Sequence, residues 1–495
     1  MQPTEHSPEH QLKPGAIGAA GITFMVVAAA APLTIMAGLA PLAISIGGIG
    51  APVGYLAAGA VLAIFAVGFV TMTRITRGAG AFYSYITLGL GRTVGAASGL
   101  LAILSYNSLQ IGVYGLLGVQ FAGAWTRFTG TEAPWWVFAL GAIGVVAWLG
   151  RRGIDIGAKV LGVLLLAETA ILALLVVGVL ARGGADGLSV ATFSPQAVFA
   201  PGMVAILSFC FAAFMGFEST ALYRDEARDP DRSIPRATFA AVAFLALFYC
   251  LVGWAVVQAF GDSAVVAAAG TDPAGLFFAA MDRFVGPWAG DVMYVLVLTS
   301  VLASQLAFHN AINRYTFVLA GDGLLPAGLG RVHPRFGSPA TAGSAQSVLA
   351  VVVVTAFAVA ALDPYLQLLL LVNTPGVVGV VLLQLMTSLA VTVFLLRRGG
   401  FRVATAAAGL ATVLLGVVLV LLTLHLDLLT GMPKASTWAL AAMVPAVLLV
   451  GIAWARYLHR ARPAVFEAVG GPDVRRHEST TTPLTSPATG EGVRS

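Results

Sequence analysis

Charge is scarce in this chain: of 495 residues only 10% are Asp, Glu, Lys or Arg, against about 25% in an ordinary soluble domain. With 58% hydrophobic residues as well, most of the chain must lie in lipid, and a soluble enzyme is excluded. Cysteine is nearly missing. Cys210 and Cys250 are the only two, both inside apolar runs, where they read as small buried hydrophobes and not as a disulfide frame or metal ligands. HExxH, GxSxG, the P-loop and clustered metal-ligand spacings are all absent, so no enzyme chemistry, cofactor or metal is expected. The start, Met1 to Pro14, is polar with Glu5 and Glu9 and lacks the basic, apolar and small-residue order of a cleaved signal peptide. The net charge of +5 comes from basic residues interspersed between apolar runs, which gives no folded basic domain for nucleic acid.

What is present is a succession of apolar runs of about 20 residues, the length that crosses a bilayer as a helix. Spans are expected at 16–46, 52–72, 95–125, 134–150, 156–181, 196–223, 236–260, 287–319, 341–361, 365–396, 403–425 and 435–458. The 57 glycines fit this reading, because small residues let membrane helices pack closely. Twelve spans return both ends to one side. With the ends in the cytoplasm, 23 of the 27 Lys and Arg fall inside and only Arg127, Arg182, Arg283 and Lys434 outside, the bias that sets orientation in a plasma membrane. The chain then divides into an N-terminal tail (1–14), a first five-helix unit (15–181), a second (196–396), a helix pair (403–458) and a tail (463–495). That last tail is rich in Pro, Ser, Thr, Gly and charge, a composition that cannot bury a core and is expected to be disordered.

Two spans are interrupted. The first carries Ala28, Ala29, Ala30, Ala31, Pro32, Leu33 and Thr34 in mid-run, and a proline there removes a backbone hydrogen bond and clashes with the preceding turn. The sixth carries Phe211, Phe214, Gly216, Phe217 and Glu218. The two lie five spans apart, which points to an inverted-repeat transporter with its solute held between half-helices near the midplane. A half-helix starting near Pro32 and Thr34 aims N–H groups at the cavity and suits a carboxylate, whereas the carbonyls freed before each break suit an ammonium. Such a site fits an α-amino acid. Ala29, Ala30, Ala31, Pro32 and Thr34 are its expected contacts on the first span, Tyr106 and Asn107 on the third, and Phe211, Phe214, Gly216 and Phe217 on the sixth, one of the phenylalanines acting as a gate.

The stretch FAAFMGFESTALYRDEARDPDRSIPRA, Phe211 to Ala237, resembles the amino acid, polyamine and organocation superfamily of permeases. Its Asp225, Glu226, Arg228, Asp229, Pro230, Arg232, Ile234, Pro235 and Arg236 fill the places of that family's loop after the sixth helix. NRYTFVLAGDGLLP, Asn313 to Pro326, and GAGAFYSY, Gly78 to Tyr85, resemble two further family segments. The resemblance implies a leucine-transporter-like fold, an all-α polytopic membrane protein with a 5+5 inverted repeat plus two C-terminal helices. It also implies a secondary transporter for an amino acid or, alternatively, an amine or polyamine; the other reading, a ligand sensor that moves nothing, finds no signalling domain in the plain tail. The family's glycine-rich first-span segment is AAAAPLT here, and its frequent fifth-span lysine falls at Glu168.

An acid inside a span is a functional candidate by default, so Glu168 and Glu218 are the expected proton-coupling residues. Ser300 and Ser304, one turn apart on the eighth span, are a candidate Na⁺ site, with interhelical bonding the commoner use of such serines. The expected partners are the solute, H⁺ or Na⁺, and lipid; no obligate protein partner is evident.

Overall fold

A computed structural model describes residues 18–75, 81–153, 158–218, 220, 224, 227–471 and 474. Of the positions singled out above, Gly78 to Gly80, Ser219, Ala221 to Tyr223, Asp225, Glu226, the side chain of Lys434 and the tails 1–17 and 475–495 lie outside the described residues. The chain opens with three short helices, α1 (Ala19–Ala29), α2 (Pro32–Gly38) and α3 (Ala40–Gly47), followed by α4 (Ala51–Ile75), α5 (Ala81–Leu90), α6 (Arg92–Thr129), α7 (Trp135–Arg151) and α8 (Ala158–Arg182). Next come α9 (Pro195–Val198), α10 (Gly202–Ala212), α11 (Pro230–Phe260), α12 (Val265–Thr271), α13 (Leu276–Phe284), α14 (Pro287–Gly321), α15 (Ala340–Val359) and α16 (Leu370–Arg398). The series closes with α17 (Arg402–Leu424), α18 (Leu426–Thr430), α19 (Lys434–Ala441), α20 (Met443–Ala461) and α21 (Pro463–Ala468).

Every regular element among the described residues is helical, as expected of a chain whose backbone must satisfy its own hydrogen bonds where water is missing. Among the described residues ten helices are long and apolar enough to cross a membrane, and two shorter apolar ones, Trp135–Arg151 and Gly202–Ala212, fall where the fourth and sixth spans were expected. The outer faces carry large apolar side chains such as Val163 (67% exposed) and Val403 (79% exposed), a surface suited to an apolar solvent.

Inside, α4 lies along α11, α6 along α16 and α14, and α1 and α2 against α8, α11 and α14. These contacts depend on small residues. A Cβ added at Gly89 would overlap the backbone of Ala390, so α5 and α16 meet backbone to backbone. The aromatic core formed by Tyr55, Phe65, Phe69, Phe217 and Tyr249 fills the space between α4, α11 and the end of α10. Cys210 and Cys250 are free and buried.

Two segments outside the long helices are themselves ordered. The short helix α13, between α12 and α14, buries Leu276, Phe277, Phe278, Met281 and Phe284. It is pinned by Arg127, which bonds Asp282 at 2.6 Å and Asp291 at 2.8 Å; the two carboxylates push the guanidinium pKa up and hold it charged. The tail expected to be disordered from 463 is in fact structured as far as Gly470: the Gly470 N–H donates to the Tyr83 hydroxyl at 2.7 Å, and the Tyr83 hydroxyl donates to Asp322 at 3.0 Å. The sequence reading missed this because Phe466 and Val469, its apolar anchors, are too few to register as a run.

Candidate functional site

The first break is sharp. Ala31 sits at φ 48° and ψ 68°, the left-handed region, which costs an L-residue about 1–2 kcal/mol. Its N–H donates to the Ala28 carbonyl at 3.1 Å, closing α1 with a tightened turn, and Ile35 N–H bonding to the Ala31 carbonyl at 3.1 Å starts α2. Pro32 is the first residue of α2, where its missing N–H costs nothing and its fixed φ suits a helix start. The next N–H, that of Leu33, would reach the Ala29 carbonyl in a continuous helix. Here it donates to Glu168 Oε2 at 3.3 Å, across 135 positions of sequence. One residue on, the Thr34 hydroxyl donates to Ser300 Oγ at 2.9 Å, and the Ser300 hydroxyl also interacts with the Glu168 carboxylate. Glu168 is 5% exposed. The acid of α8 thus reaches the start of α2, with α14 completing the junction.

The second break is looser. After α10 the chain turns through i→i+3 bonds, Phe214 N–H to Phe211 O at 3.2 Å, Met215 N–H to Ala212 O at 3.1 Å and Phe217 N–H to Phe214 O at 3.2 Å. Gly216 takes φ 105°, a conformation L side chains rarely adopt. Its N–H donates to Glu218 Oε2 at 3.0 Å, and the Tyr106 hydroxyl of α6 donates to Glu218 Oε1 at 3.2 Å. Glu218 is 8% exposed. The two breaks face each other: a Cβ placed on Gly216 would stand 3.6 Å from the Ala29 Cβ and 3.8 Å from the Ala30 N.

The structure therefore gathers Ala29, Ala30, Gly216, Glu218 and Tyr106 at one contact, and Ala31, Pro32, Thr34, Glu168 and Ser300 at an adjoining one. Ser304, one turn along α14 from Ser300, is buried. Asn107 donates back to the Ile103 carbonyl of its own helix at 2.8 Å, leaving its buried Oδ1 without a partner among the described residues. Phe211, Phe214 and Phe217 are all buried. Phe214 meets the Tyr249 ring edge-on at 6.2 Å, and Phe217 packs on Phe65 and Phe69 at 6.0 and 6.4 Å, so both rings are engaged by the α4 and α11 side of the core.

Tyr249 was not singled out from sequence. Its hydroxyl is fully buried, finds no hydrogen-bond partner among the described residues and has Glu168 as its charged neighbour; beside it the Tyr55 hydroxyl is also unpartnered among them, the two rings 5.4 Å apart. The available signal was a hydroxyl-bearing ring deep inside an apolar run, LALFYCLVG. It was overlooked because a tyrosine in such a run also reads as packing.

The family model described as amino acid permease matches residues 21–465. Among curated relatives, the low-affinity putrescine importer PlaP of Escherichia coli is 25% identical over 58% of this chain and 63% of its own length. The branched-chain amino acid permease BcaP of Lactococcus lactis is 25% identical over 62% of this chain and 68% of its own. An uncharacterized transporter of Mycobacterium bovis is 33% identical over 28% of this chain and 30% of its own length; the chain thus spans less than a third of that relative and close to two thirds of the other two.

Proposed function

The chain belongs to the amino acid permease family, and from that premise we propose that it is a secondary active transporter moving an amino acid or a related amine across the plasma membrane by alternating access. The observation that carries this reading is the meeting of two broken helices, each with a buried carboxylate on its freed N–H. Non-helical backbone at membrane depth is stable only where protein or a polar cavity satisfies it, and a solute can exchange contacts with such backbone as the helices around it rock.

In this reading the chain crosses the membrane twelve times, α1–α8 and α10–α16 form two inverted five-helix units, α17 and α19–α20 add the last two spans, and both ends are cytoplasmic. Glu168 couples transport to H⁺, either in symport or by taking a proton when a cationic solute leaves; Ser300 with Ser304 is the alternative place for Na⁺. The putrescine and branched-chain amino acid relatives support a solute bearing an amino group and leave its remaining chemistry open.

Uptake into proteoliposomes tests the proposal, with radiolabelled amino acids and amines offered with and without a pH gradient, a Na⁺ gradient and internal solute. Accumulation that follows one of these three supports it; no transport under any of them overturns it. Orientation has its own test. Cysteines placed between Arg228 and Arg236 should be labelled by an impermeant reagent in inverted vesicles and not in intact cells, and labelling of intact cells reverses the topology.

A further inference from the structure

We propose that the C-terminal segment from Pro463 to Gly471 is an autoinhibitory strap: it holds the bundle closed on the side where the chain ends, cytoplasmic in the reading above, and undocks for that side to open. Its consequence for transport rests on that reading; its docking does not. Two neighbouring residues of α5 grip it at one point. The Gly470 N–H donates to the Tyr83 hydroxyl at 2.7 Å, and the Ser84 hydroxyl donates to the Gly470 carbonyl at 3.1 Å. Only glycine fits there. Gly470 takes φ 96°, and a Cβ on it would stand 2.5 Å from Val474 Cγ2 and 2.7 Å from Thr87 Cγ2. Beside it Val469 is fully buried in a cluster with Tyr83, Leu319, Leu324 and Leu458.

The tyrosine that receives the strap also ties α5 to α14. Its hydroxyl donates to Asp322 at 3.0 Å. Its N–H, a first-turn donor that α5 cannot satisfy itself, donates to the Tyr315 hydroxyl at 3.2 Å. The Tyr315 ring lies 6.2 Å from that of Tyr106, whose hydroxyl bonds Glu218 at the second break. Consecutive contacts thus join strap, α5, α14 and the break, and α5 and α14 cannot part at this end while Tyr83 keeps its bonds.

A permanent anchor and a strap differ in how firmly they hold. None of the six residues of α21 is buried, and the hold is concentrated in residues 469–471 and Val474. A segment with so few buried apolar contacts opens locally at low free energy. The seat it leaves is made of α5 and α14 side chains that also bond one another, so undocking loosens that pair. A segment that docks on only one arrangement of two helices shifts the population toward that arrangement, and here the favoured arrangement is the closed one.

Opening is followed with Asn107→Cys, a buried position next to Tyr106, labelled by a water-soluble maleimide on purified protein. The reporter is placed in the full chain, in a chain ended after Arg462, in Gly470→Val, which keeps the tail but not its fit, and in Glu467→Ala, an exposed position of α21 that serves as control. The buried Cys210 and Cys250 report whether the interior stays intact. The expected result is labelling at position 107 at least fivefold faster in the truncated chain and in Gly470→Val than in the full chain or Glu467→Ala, with Cys210 and Cys250 unreactive throughout. In proteoliposomes, Gly470→Val without the reporter should exchange solute at least threefold faster than the wild type. If the truncated chain does not stay monodisperse, Gly470→Val decides alone. Unchanged labelling in Gly470→Val overturns the inference, and so does exchange no faster than wild type while position 107 opens. Labelling at 107 that appears only together with Cys210 and Cys250 also overturns it, because the segment is then a structural anchor. A chain that labels as expected and moves no solute in any variant counts against the transporter reading and leaves the closure by the strap standing.

Discussion

The two breaks solve one problem in opposite ways. At the second, the unusual φ is given to a glycine and the freed N–H is satisfied by Glu218, two residues further along the same segment; the cap is local, with Tyr106 of α6 bonding the other oxygen of the same carboxylate. At the first, the unusual φ is given to an alanine and the freed N–H is satisfied by Glu168 from another helix. Its geometry exists only once α8 and α14 have packed against α2. A locally capped break can keep its shape while its neighbours move, whereas a break capped from a distance must change when α8 and α2 shift relative to one another. The first break is therefore the one whose hydrogen bonding reports the state of the bundle.

The sharpest way to break this comparison is Gly216→Leu, and it carries the largest expected effect. The substitution forces a branched side chain into φ 105° and aims it at Ala29 and Ala30, where a Cβ alone already stands 3.6 Å from the Ala29 Cβ. Uptake should fall to background while the protein remains inserted and monodisperse. Gly216→Ala separates the two causes: a Cβ fits the space, so only the backbone strain, about 1 kcal/mol, should remain, with uptake reduced and not lost. Wild-type uptake by the leucine variant would remove the second break from the site.

Glu168 comes next. Glu168→Leu strips the Leu33 N–H of its acceptor and leaves a buried donor unsatisfied, at a cost of about 1–3 kcal/mol, so its melting temperature should fall well below that of Glu168→Gln, which retains an acceptor oxygen. Glu168→Gln should instead lose the pH dependence of transport and slow net uptake more than exchange. Equal melting temperatures for the two variants would mean that the bond to α2 contributes nothing, and unchanged pH dependence in the glutamine variant would pass the coupling role to Glu218.

How much of this could be read from the sequence follows from the same contrast. Pro32 within an alanine run, and glycine followed by glutamate at 216 and 218, break helices by chemistry that acts over a few residues, so both interruptions were visible in one dimension. Glu168 was visible as an acid in lipid, but its partner was not: nothing near it in sequence indicates that its carboxylate reaches Leu33. The consequence was an expectation that the restart of the first helix stands open for a substrate carboxylate, when the protein fills it with its own. The directions of Phe214 and Phe217 depend on α4 and α11 and were likewise hidden. So was the docking of Gly470 on Tyr83, which joins residues 387 positions apart.

The smallest expected effect concerns Ala31 and tests whether the first break is held against its local preference. Among the described residues only Ala31 and Ala361 adopt positive φ without being glycine, and the left-handed conformation costs an alanine about 1–2 kcal/mol. Ala31→Gly removes that cost. In a soluble chain part of the gain would be returned through the greater freedom of the unfolded glycine; a membrane-inserted unfolded state keeps its helical backbone, so less is returned and a net stabilisation of about 1 kcal/mol is expected. The variant should melt slightly higher than the wild type in the same detergent, while Gly216→Ala melts lower, the two breaks responding with opposite sign to exchanges between the same two residues. The Ala31 methyl is only 3% exposed, which supplies the competing term. If Ala31→Gly melts lower than the wild type, packing of that methyl outweighs the strain, and the alanine is there to fill space at the junction of α1 and α2 and not because α8 imposes the turn upon it.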